Sequence, residues 1–276
     1  STITVATSND EPTLTATGSS PTFTEGDSPK TLYSGASAST IEAGQTLTDL
    51  NLTVTNLTDG TSEKLTADGT QFALTNGTTG TTATNSMTYN VTVSSGTATV
   101  TLSKVAGIST AAMQTLVNAL AYENSSQDPT ANSSRVVTLT VLKDNGSNTA
   151  PNDNTTALSI ASTLTVVAVN DEPTLTATAS SPTFTEGDSP KTLYTTAAAS
   201  TIEAGQTLTD LELTVSNLAD GANEKLTADG TQFALTNGTT GTTATNSMTY
   251  SVAVSGSTAT VTLTKAAGIR TTAMQT

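Results

Sequence analysis

The sequence predicts an all-β protein made of tandem antiparallel β-sandwiches, with one short helix in each unit. Three observations lead to this prediction: an unusual threonine content, apolar residues that alternate with polar ones, and a long internal repeat. Threonine accounts for 67 of the 276 residues, whereas aromatic residues make up 3% and charged residues 12%. Threonine is β-branched and disfavours helices, and its alternation with valine or leucine suits a strand with one solvated face.

Apolar residues recur at every second position in several segments, which is the period of a strand with one buried face. Gly-containing turn sequences separate these segments, as expected for hairpins and longer loops. The turns are Asp59-Gly60, Asp68-Gly69, Asn76-Gly77 and Asp144-Asn145-Gly146, and the alternating apolar residues are Leu50, Leu52, Val54; Met87, Tyr89, Val91, Val93; Ala98, Val100, Leu102; Leu158, Ile160, Leu164 and Val166.

One segment of each repeat has a helical period instead. Its apolar residues fall at i, i+3, i+4 and i+7, after Ser109 or Thr110 as a candidate N-cap. We expect a short amphipathic helix here that closes one end of the sandwich. The apolar positions are Met113, Leu116, Val117 and Leu120.

The repeat has a period of 161 residues, because the segment Asn9-Asp10-Glu11-Pro12 recurs as Asn170-Asp171-Glu172-Pro173. Residues 9–115 align with 170–276 without a gap and differ at 17 of 107 positions. A period this long is that of a whole domain rather than of a solenoid coil. We therefore expect a fragment of a longer protein, with residues 1–8 as the tail of a preceding unit, 9–169 as a complete unit, and 170–276 as a second unit that stops before its last strands.

The composition excludes several classes of function. The net charge is −14, from 23 acidic and 9 basic residues, which disfavours nucleic acid and anionic membranes as partners. The chain has no cysteine and no histidine, so disulfides, thiolate nucleophiles and imidazole chemistry are absent. It also has no run of 18 apolar residues that would predict membrane insertion.

A carboxylate enzyme is the main alternative of a different class, since a glycosidase needs only two acidic side chains. The chain has no tryptophan and only 5 tyrosines to form a platform for sugars. Near-identical tandem copies also leave no division between scaffold and active site. We expect no enzymatic activity.

The acidic residues gather near strand ends, and an immunoglobulin-like sandwich allows them to be placed. Successive strands alternate in direction, so the chain enters at one pole and leaves at the other. If the first strand starts near Leu14, Glu25 lies near the exit pole, whereas Glu42 and Asp144 lie at the entry pole. The last strand then delivers the linker to the exit pole.

The junction between the two units should therefore collect oxygen-bearing side chains. Carboxylates this close repel one another, and a hard divalent cation that accepts six to eight oxygens would hold them together. Calcium fits this donor set, because softer metals are expected to bring histidine or cysteine ligands. The candidate metal ligands are Glu25, Asn170, Asp171 and Glu203 at this junction, Asn9, Asp10, Glu42 and Asp144 at the entry pole, and Glu186 as the second copy of Glu25; Asp27, Asp59, Glu63 and Asp68 are expected to be surface charges.

Several segments carry a resemblance to a known family. They are residues 167–173 (VAVNDEP), 24–27 (TEGD), and 120–130 (LAYENSSQDPT) leading to 135–141 (RVVTLTV). With these segments the chain resembles, over nearly its whole length, the cadherin-like tandem repeats of giant bacterial adhesins of the RTX, type I secreted class. By position, Glu25 matches the ligand glutamate after the first strand, Asn170-Asp171 the linker pair, and Asp144 the aspartate before the last strand.

The resemblance implies a function as well as a fold. It implies extender modules stiffened by calcium, exported to the surface of a Gram-negative cell, that project a distal adhesive domain for attachment and biofilm formation. Partners would be neighbouring repeats of the same chain, together with homophilic or host-surface contacts. As an alternative, the repeat itself binds carbohydrate or self-associates as the adhesive module.

Two departures from the family pattern stand out. Cadherin-type repeats usually carry an Asp-x-Asp pair where this chain has a single acid, Glu42, in the segment 41–44. Fewer calcium ions per junction are therefore expected, one or two rather than three. The unit is also longer than an ordinary sandwich domain of about 100 residues, which predicts an inserted hairpin or helix.

Overall fold

The computed structural model describes residues 1–3, 8–130 and 134–275. The chain forms two compact units, Ser1–Val169 and Asn170–Thr276. Residues 4–7, which belong to the predicted tail 1–8, lie outside the described residues. Both units consist mainly of antiparallel strands plus one short α-helix each, so the prediction of an all-β chain is confirmed.

Unit 1 contains thirteen strands within its described residues, and their bounds follow the turns found in the sequence. A short 3₁₀ helix, Gly60–Ser62, precedes the sixth strand. The helix α1, Thr110–Asn118, starts after Ser109, whose hydroxyl accepts a hydrogen bond from the N–H of Ala112 at 3.2 Å. The strands are β1 Thr13–Gly18, β2 Thr22–Thr24, β3 Lys30–Thr31, β4 Tyr33–Ser39, β5 Leu47–Thr55, β6 Glu63–Ala67, β7 Thr70–Ala73, β8 Thr79–Thr81, β9 Thr88–Ser94, β10 Thr97–Ile108, β11 Ala121–Asn124, β12 Ser134–Asp144 and β13 Thr155–Val167.

The largest sheet of unit 1 has seven strands in the order β2-β13-β12-β5-β10-β9-β8. All neighbours in it are antiparallel except β2 and β13, which run parallel from the pair Thr22 and Thr165 onward. A second sheet has the order β3-β11-β6-β7, and β1 pairs with β4 alone. The segment after α1 therefore supplies the three strands β11, β12 and β13 that join earlier strands into both larger sheets.

All three sheets of unit 1 contribute to one core. Along β5, Leu50, Leu52 and Val54 are buried and alternate with threonine, asparagine and aspartate, as the period-two pattern predicts. The same core takes Met113 and Val117 from α1. The core includes residues from β1, β2, β12 and β13, so the first and last strands of the unit pack in the same core.

Unit 2 repeats only part of this arrangement within its described residues. Its largest sheet has four strands in the order β16-β21-β20-β19, while β14 pairs with β15 and β17 pairs with β18. Its buried apolar residues form two separate clusters. The elements are β14 Thr174–Ala179, β15 Tyr194–Ser200, β16 Leu208–Val215, the 3₁₀ helix Gly221–Asn223, β17 Lys225–Ala228, β18 Thr231–Ala234, β19 Thr240–Thr242, β20 Thr249–Ser255, β21 Thr258–Ile269 and α2 Thr271–Met274.

Candidate functional site

Four of the candidate residues meet at one end of unit 1. Asp144 ends β12 and lies opposite Leu47, the first residue of β5, so the loop after β12 adjoins the turn before β5. The linker before β1 runs between them. There the Nδ2 of Asn9 contacts the Oδ1 of Asp144 at 3.5 Å, and the N–H of Asp10 donates to the Oε1 of Glu42 at 3.0 Å.

The loop 145–154 wraps around Asn9. The N–H of Asn9 donates to the Oδ1 of Asn152 at 2.7 Å, and the N–H of Asp153 donates to the carbonyl of Asn9 at 3.0 Å. The N–H of Gly146 donates to the Oδ1 of Asp144 at 2.8 Å. A Cβ at position 146 would lie 1.9 Å from the Oδ1 of Asn9, so this close approach requires glycine. The loop thus fixes a buried asparagine beside a buried aspartate.

The electrostatics of this end are unfavourable for negative charge. Burial raises the pKa of Asp144 above its ordinary 3.8, and the charges of Glu42 and Asp153 raise it further. Hydrogen bonds from Gly146 and Asn9 act in the opposite direction without offsetting these effects. A carboxylate whose ionised form is disfavoured in this way is stabilised by a bound cation.

The second unit repeats part of the arrangement. The N–H of Asp171 donates to the Oε1 of Glu203, as that of Asp10 does to Glu42. The Nε2 of Gln206 donates to the Oδ1 of Asn170 at 2.6 Å, and in unit 1 the side-chain amide of Gln45 also lies against that of Asn9.

Two carboxylate oxygens of this second arrangement lack a hydrogen-bond partner. They are Oδ2 of Asp171 and Oε2 of Glu203, and both atoms are buried. Buried carboxylate oxygens are normally paired, because an unpaired one retains the cost of its lost hydration. The space next to these two oxygens is therefore a candidate place for a cation.

Glu25 lies at the other end of unit 1, where β13 leaves. Its N–H donates to the carbonyl of Val167 at 2.8 Å, and its Oε2 accepts from the N–H of Val169 at 2.9 Å. Its counterpart Glu186 is exposed in unit 2. The convergence of Glu25 with residues 170, 171 and 203 involves both units and stays a prediction.

Two residues taken as surface charges, Glu63 and Asp68, are buried, so the prediction is wrong for them, and Asp59 is only partly exposed. Glu63 and Asp59 form ion pairs with Arg135, which is itself fully buried, the Asp59 pair measuring 3.1 Å between Oδ2 and an Nη. The hydroxyl of Tyr122 also donates to Glu63 at 2.7 Å. Asp68 is buried and accepts from the N–H of Asn85 at 2.9 Å. Asp27, by contrast, remains partly exposed beside Lys30, at 3.0 Å.

The sequence contained a signal for the arginine cluster. Arg135 has the same parity as Val137 and Leu139 along β12, so the alternation that buries those two also buries the arginine. A buried guanidinium requires carboxylate partners. The partners themselves could not be identified from spacing, because Asp59 and Glu63 lie more than 70 residues earlier in the chain.

Comparisons with known proteins identify no relative: no family model, no curated protein and no solved structure matches the chain. Across the described ranges 1–3, 8–130 and 134–275, no helix is long and apolar enough to cross a membrane. Over the same residues, no three carboxylates are arranged so that they could hold one metal ion. The contacts among the candidate ligands link them two at a time: Asp10 with Glu42, Asp171 with Glu203, and Asn9 with Asp144.

Proposed function

We propose that the chain is part of an extracellular extender of a bacterial surface adhesin, in which calcium stiffens the junctions between tandem cadherin-like, immunoglobulin-like sandwiches. The observation that carries the proposal is the recurrence of one arrangement of an asparagine, an aspartate, a glutamate and a glutamine in both units. The N–H of Asp10 donates a hydrogen bond to Glu42 in unit 1, and the N–H of Asp171 donates one to Glu203 in unit 2. The single core shared by all sheets of unit 1 supports the sandwich architecture.

Calcium fits the chemistry of these residues. All candidate side-chain ligands offer oxygen, and the unpaired oxygens of Asp171 and Glu203 are donors of the hard type that calcium prefers. Because no three carboxylates of the described residues lie together, an ion there would also need amide or main-chain oxygens. Under the proposal, Asp171 and Glu203 hold the ion from the second unit, and Glu25 holds it from the first.

The chain's own residues explain how binding would stiffen a junction. The linker between β13 and β14 is short and acidic, with Asn170, Asp171 and Glu172 before Pro173. Without a cation, its carboxylates and Glu203 repel one another and favour splayed arrangements. A bound calcium supplies the positive charge that removes this repulsion, and a shared set of ligands restricts the angle between the units.

Weak binding is sufficient for this role. Extracellular calcium modules have Kd values on the order of 10⁻⁴–10⁻³ M. At a calcium concentration ten times Kd, each site stabilises the bound form by about 1.4 kcal/mol. Several junctions in series would then produce a rod whose stiffness depends on external calcium. The same proposal includes export to the surface of a Gram-negative cell through type I secretion and a role in attachment and biofilm formation. Its main partners are the neighbouring repeats of the same chain.

The test compares two isosteric substitutions at neighbouring positions, with calcium binding to the full chain measured by isothermal titration calorimetry. Asp171→Asn removes a proposed ligand, whereas Glu172→Gln removes an equal charge from an exposed side chain next to it. We expect Asp171→Asn to weaken calcium binding at least fivefold and Glu172→Gln less than twofold. Small-angle scattering should show a longer particle with calcium than with chelator.

Two results would contradict the proposal. One is equal calcium affinity in both variants, which would mean that only net charge matters. The other is no binding at millimolar calcium together with unchanged scattering. Asp68 is unsuitable as a control, because its carboxylate organises the segment around Asn85 and its loss would disturb the fold.

A further inference from the structure

One turn in each unit holds an isoleucine in the left-handed backbone conformation. The φ angle is 57° at Ile41 and 49° at Ile202. A β-branched side chain is sterically disfavoured at such an angle, so each isoleucine is a backbone outlier. In the described part of the chain, all other non-glycine residues with positive φ are serine, asparagine, aspartate or threonine. The two isoleucines therefore mark a strained turn at the same place in both units.

Packing of the isoleucine side chain does not explain this strain. Ile41 is 56% exposed and Ile202 41% exposed, so neither is held in place by full burial. Ile41 has this exposure in unit 1, where β12 and β13 are present, so the exposure does not depend on those strands. Glycine adopts a positive φ without steric cost. The position thus carries a residue that its own backbone conformation disfavours.

Local hydrogen bonds close the turn around Ile41. The N–H of Glu42 donates to the carbonyl of Thr40 at 2.5 Å, which is a bond across a single residue of positive φ, as in the rare and strained γ-turn. The N–H of Ile41 donates to the Oγ of Ser39 at 3.2 Å, and the hydroxyl of Thr40 donates to the carbonyl of Glu42 at 3.2 Å. These bonds keep the backbone in a conformation that the isoleucine opposes.

The strained turn leads directly to a candidate calcium ligand. In unit 2, the residue after Ile202 is Glu203, whose Oε1 accepts from the N–H of Asp171. The Oε2 of Glu203 and the Oδ2 of Asp171 are buried without a hydrogen-bond partner. Without a cation, the two carboxylates repel each other. Repulsion and backbone strain therefore both act against the arrangement that brings Glu203 to Asp171.

We propose that Ile41 and Ile202 are positioning residues that set the calcium affinity of the arrangement in their own unit, an inference that rests on the proposed function. The turn has two states. In one state φ is positive and the glutamate reaches the aspartate N–H; in the other the isoleucine relaxes to negative φ and the glutamate moves away. Calcium binds the first state. The relaxed state lowers the apparent affinity in proportion to its population, because only the first state is competent to bind.

The test is a calcium titration of the isotope-labelled full chain, followed by the NMR signals of two backbone amides. The amide of Asp171 reports on unit 2 and that of Asp10 on unit 1, since each donates to the glutamate of its own unit. Ile202→Gly removes the strain, and we expect the calcium affinity at Asp171 to rise by roughly fivefold or more while that at Asp10 stays unchanged. Ile41→Gly should have the reverse effect.

The matched control is Ile202→Val, which keeps a β-branched side chain and therefore keeps the strain. We expect its calcium affinity at Asp171 to lie within about twofold of the wild-type value. A role of the isoleucine as an apolar contact would instead make both variants weaker, with glycine the more affected.

A second measurement tests the two states without calcium. In chelator, the Asp171 N–H should exchange roughly threefold or more slowly in Ile202→Gly than in the wild-type chain, because the relaxed state breaks its bond to Glu203. Ile202→Val should exchange at the wild-type rate. Exchange in β21 corrects for any change in the global stability of unit 2.

The outcomes separate this proposal from the extender proposal. If the wild-type chain binds calcium and Ile202→Gly changes neither the affinity nor the exchange at Asp171, the role of the isoleucine is overturned and the extender proposal stands. If valine changes both as much as glycine does, the role is also overturned, since side-chain size would then matter and backbone strain would not. If the wild-type chain binds no calcium, the extender proposal is overturned, and the affinity role with it.

Discussion

Units 1 and 2 share about 84% of their aligned residues, 90 of 107, yet unit 1 has one continuous core and unit 2 has two small clusters. Changes to the buried core do not cause this difference, because none of the 17 differing positions is buried in unit 1. What differs is the segment 116–169, which unit 1 contains and residues 170–276 do not repeat. The comparison therefore separates two classes of structure. The first class is specified by the shared 107 residues alone, and the second class needs the strands of segment 116–169.

The hairpins belong to the first class. Strands β6 and β7 pair with Lys64 opposite Ala73, and β17 and β18 pair with Lys225 opposite Ala234, which is the same register. The pair β9–β10 and its counterpart β20–β21 also match in register. Short turns set these registers locally. Burial of the surface around Phe23 belongs to the second class, because it depends on strands more than 100 residues away.

The largest expected effect comes from deleting one aromatic ring at the same position in each unit. Phe23→Ala should destabilise unit 1 by about 3–5 kcal/mol, because it removes a buried side chain and leaves a cavity. Phe184→Ala should change the stability of unit 2 by less than about 0.5 kcal/mol, since that ring is mostly solvated. Hydrogen exchange of β10 and β21, measured in the same sample, reports each unit separately.

Equal losses of hydrogen-exchange protection in Phe23→Ala and Phe184→Ala would contradict this difference between the units, because they would mean that Phe184 is buried in solution. A chain extended after Thr276 by a second copy of residues 116–169 would sharpen it. If the added strands cover Phe184 as β13 covers Phe23, Phe184→Ala should become costly only in the extended chain.

A smaller effect is expected at position 18, where the two copies differ. A Cβ on Gly18 would lie 2.2 Å from the carbonyl oxygen of Ala161, so β1 and β13 could not keep their present distance. Gly18→Ala should therefore destabilise unit 1 by about 1–3 kcal/mol. Unit 2 has Ala179 here and tolerates it, since its exposed side chain meets no such strand.

The reverse substitution is the matched control. Ala179→Gly should change the stability of unit 2 by no more than about 1 kcal/mol, the usual cost of glycine in a strand. Stability is read from hydrogen exchange of β21.

Much of this fold could be predicted from the sequence, but only where the interacting residues lie close together along the chain. Alternation correctly assigned the buried faces of β5, β9 and β10. The i, i+3, i+4 pattern predicted α1 with Ser109 or Thr110 as its N-cap, and the structure has Ser109 there. The parallel pair β2–β13 could not be predicted, because a three-residue strand such as Thr22–Thr24 has too little pattern.

The candidate site shows the same division. Counting strands placed Glu42 and Asp144 at one end of the unit, and the structure brings them to Asp10 and Asn9 there. The loop that holds Asn9 in place, with Gly146 against its side chain, was not foreseen. Its contacts come from residues 135 or more positions away, and no local rule specifies which amide reaches which carboxylate.

The smallest expected effect is a difference in acid sensitivity between the units. Burial raises the pKa of Asp59, but hydrogen bonds from Thr130 and Asn124 and the charge of Arg135 outweigh it, so the pKa is lower than its ordinary 3.8. In unit 2, burial likewise raises the pKa of Asp229, and bonds from neighbouring side chains together with a lysine charge lower it overall. A carboxylate with a depressed pKa in the folded state stabilises the fold fully above its unfolded pKa, and this contribution is lost as the pH falls through the folded pKa.

Each unit should therefore lose stability below about pH 3.8 partly through its own aspartate, and each contribution can be removed separately. Asp59→Asn should reduce the pH dependence of unit 1 below that pH and leave unit 2 unchanged, while Asp229→Asn should do the reverse. The measurement is hydrogen exchange in β10 and β21 between pH 2 and 5, corrected for intrinsic rates. If Asp59→Asn altered both units alike, acid unfolding would couple them, and the two cores could not be treated as independent. If each variant altered only its own unit, Asp59 beside Arg135 would account for part of the acid sensitivity of unit 1, and Asp229 for part of that of unit 2.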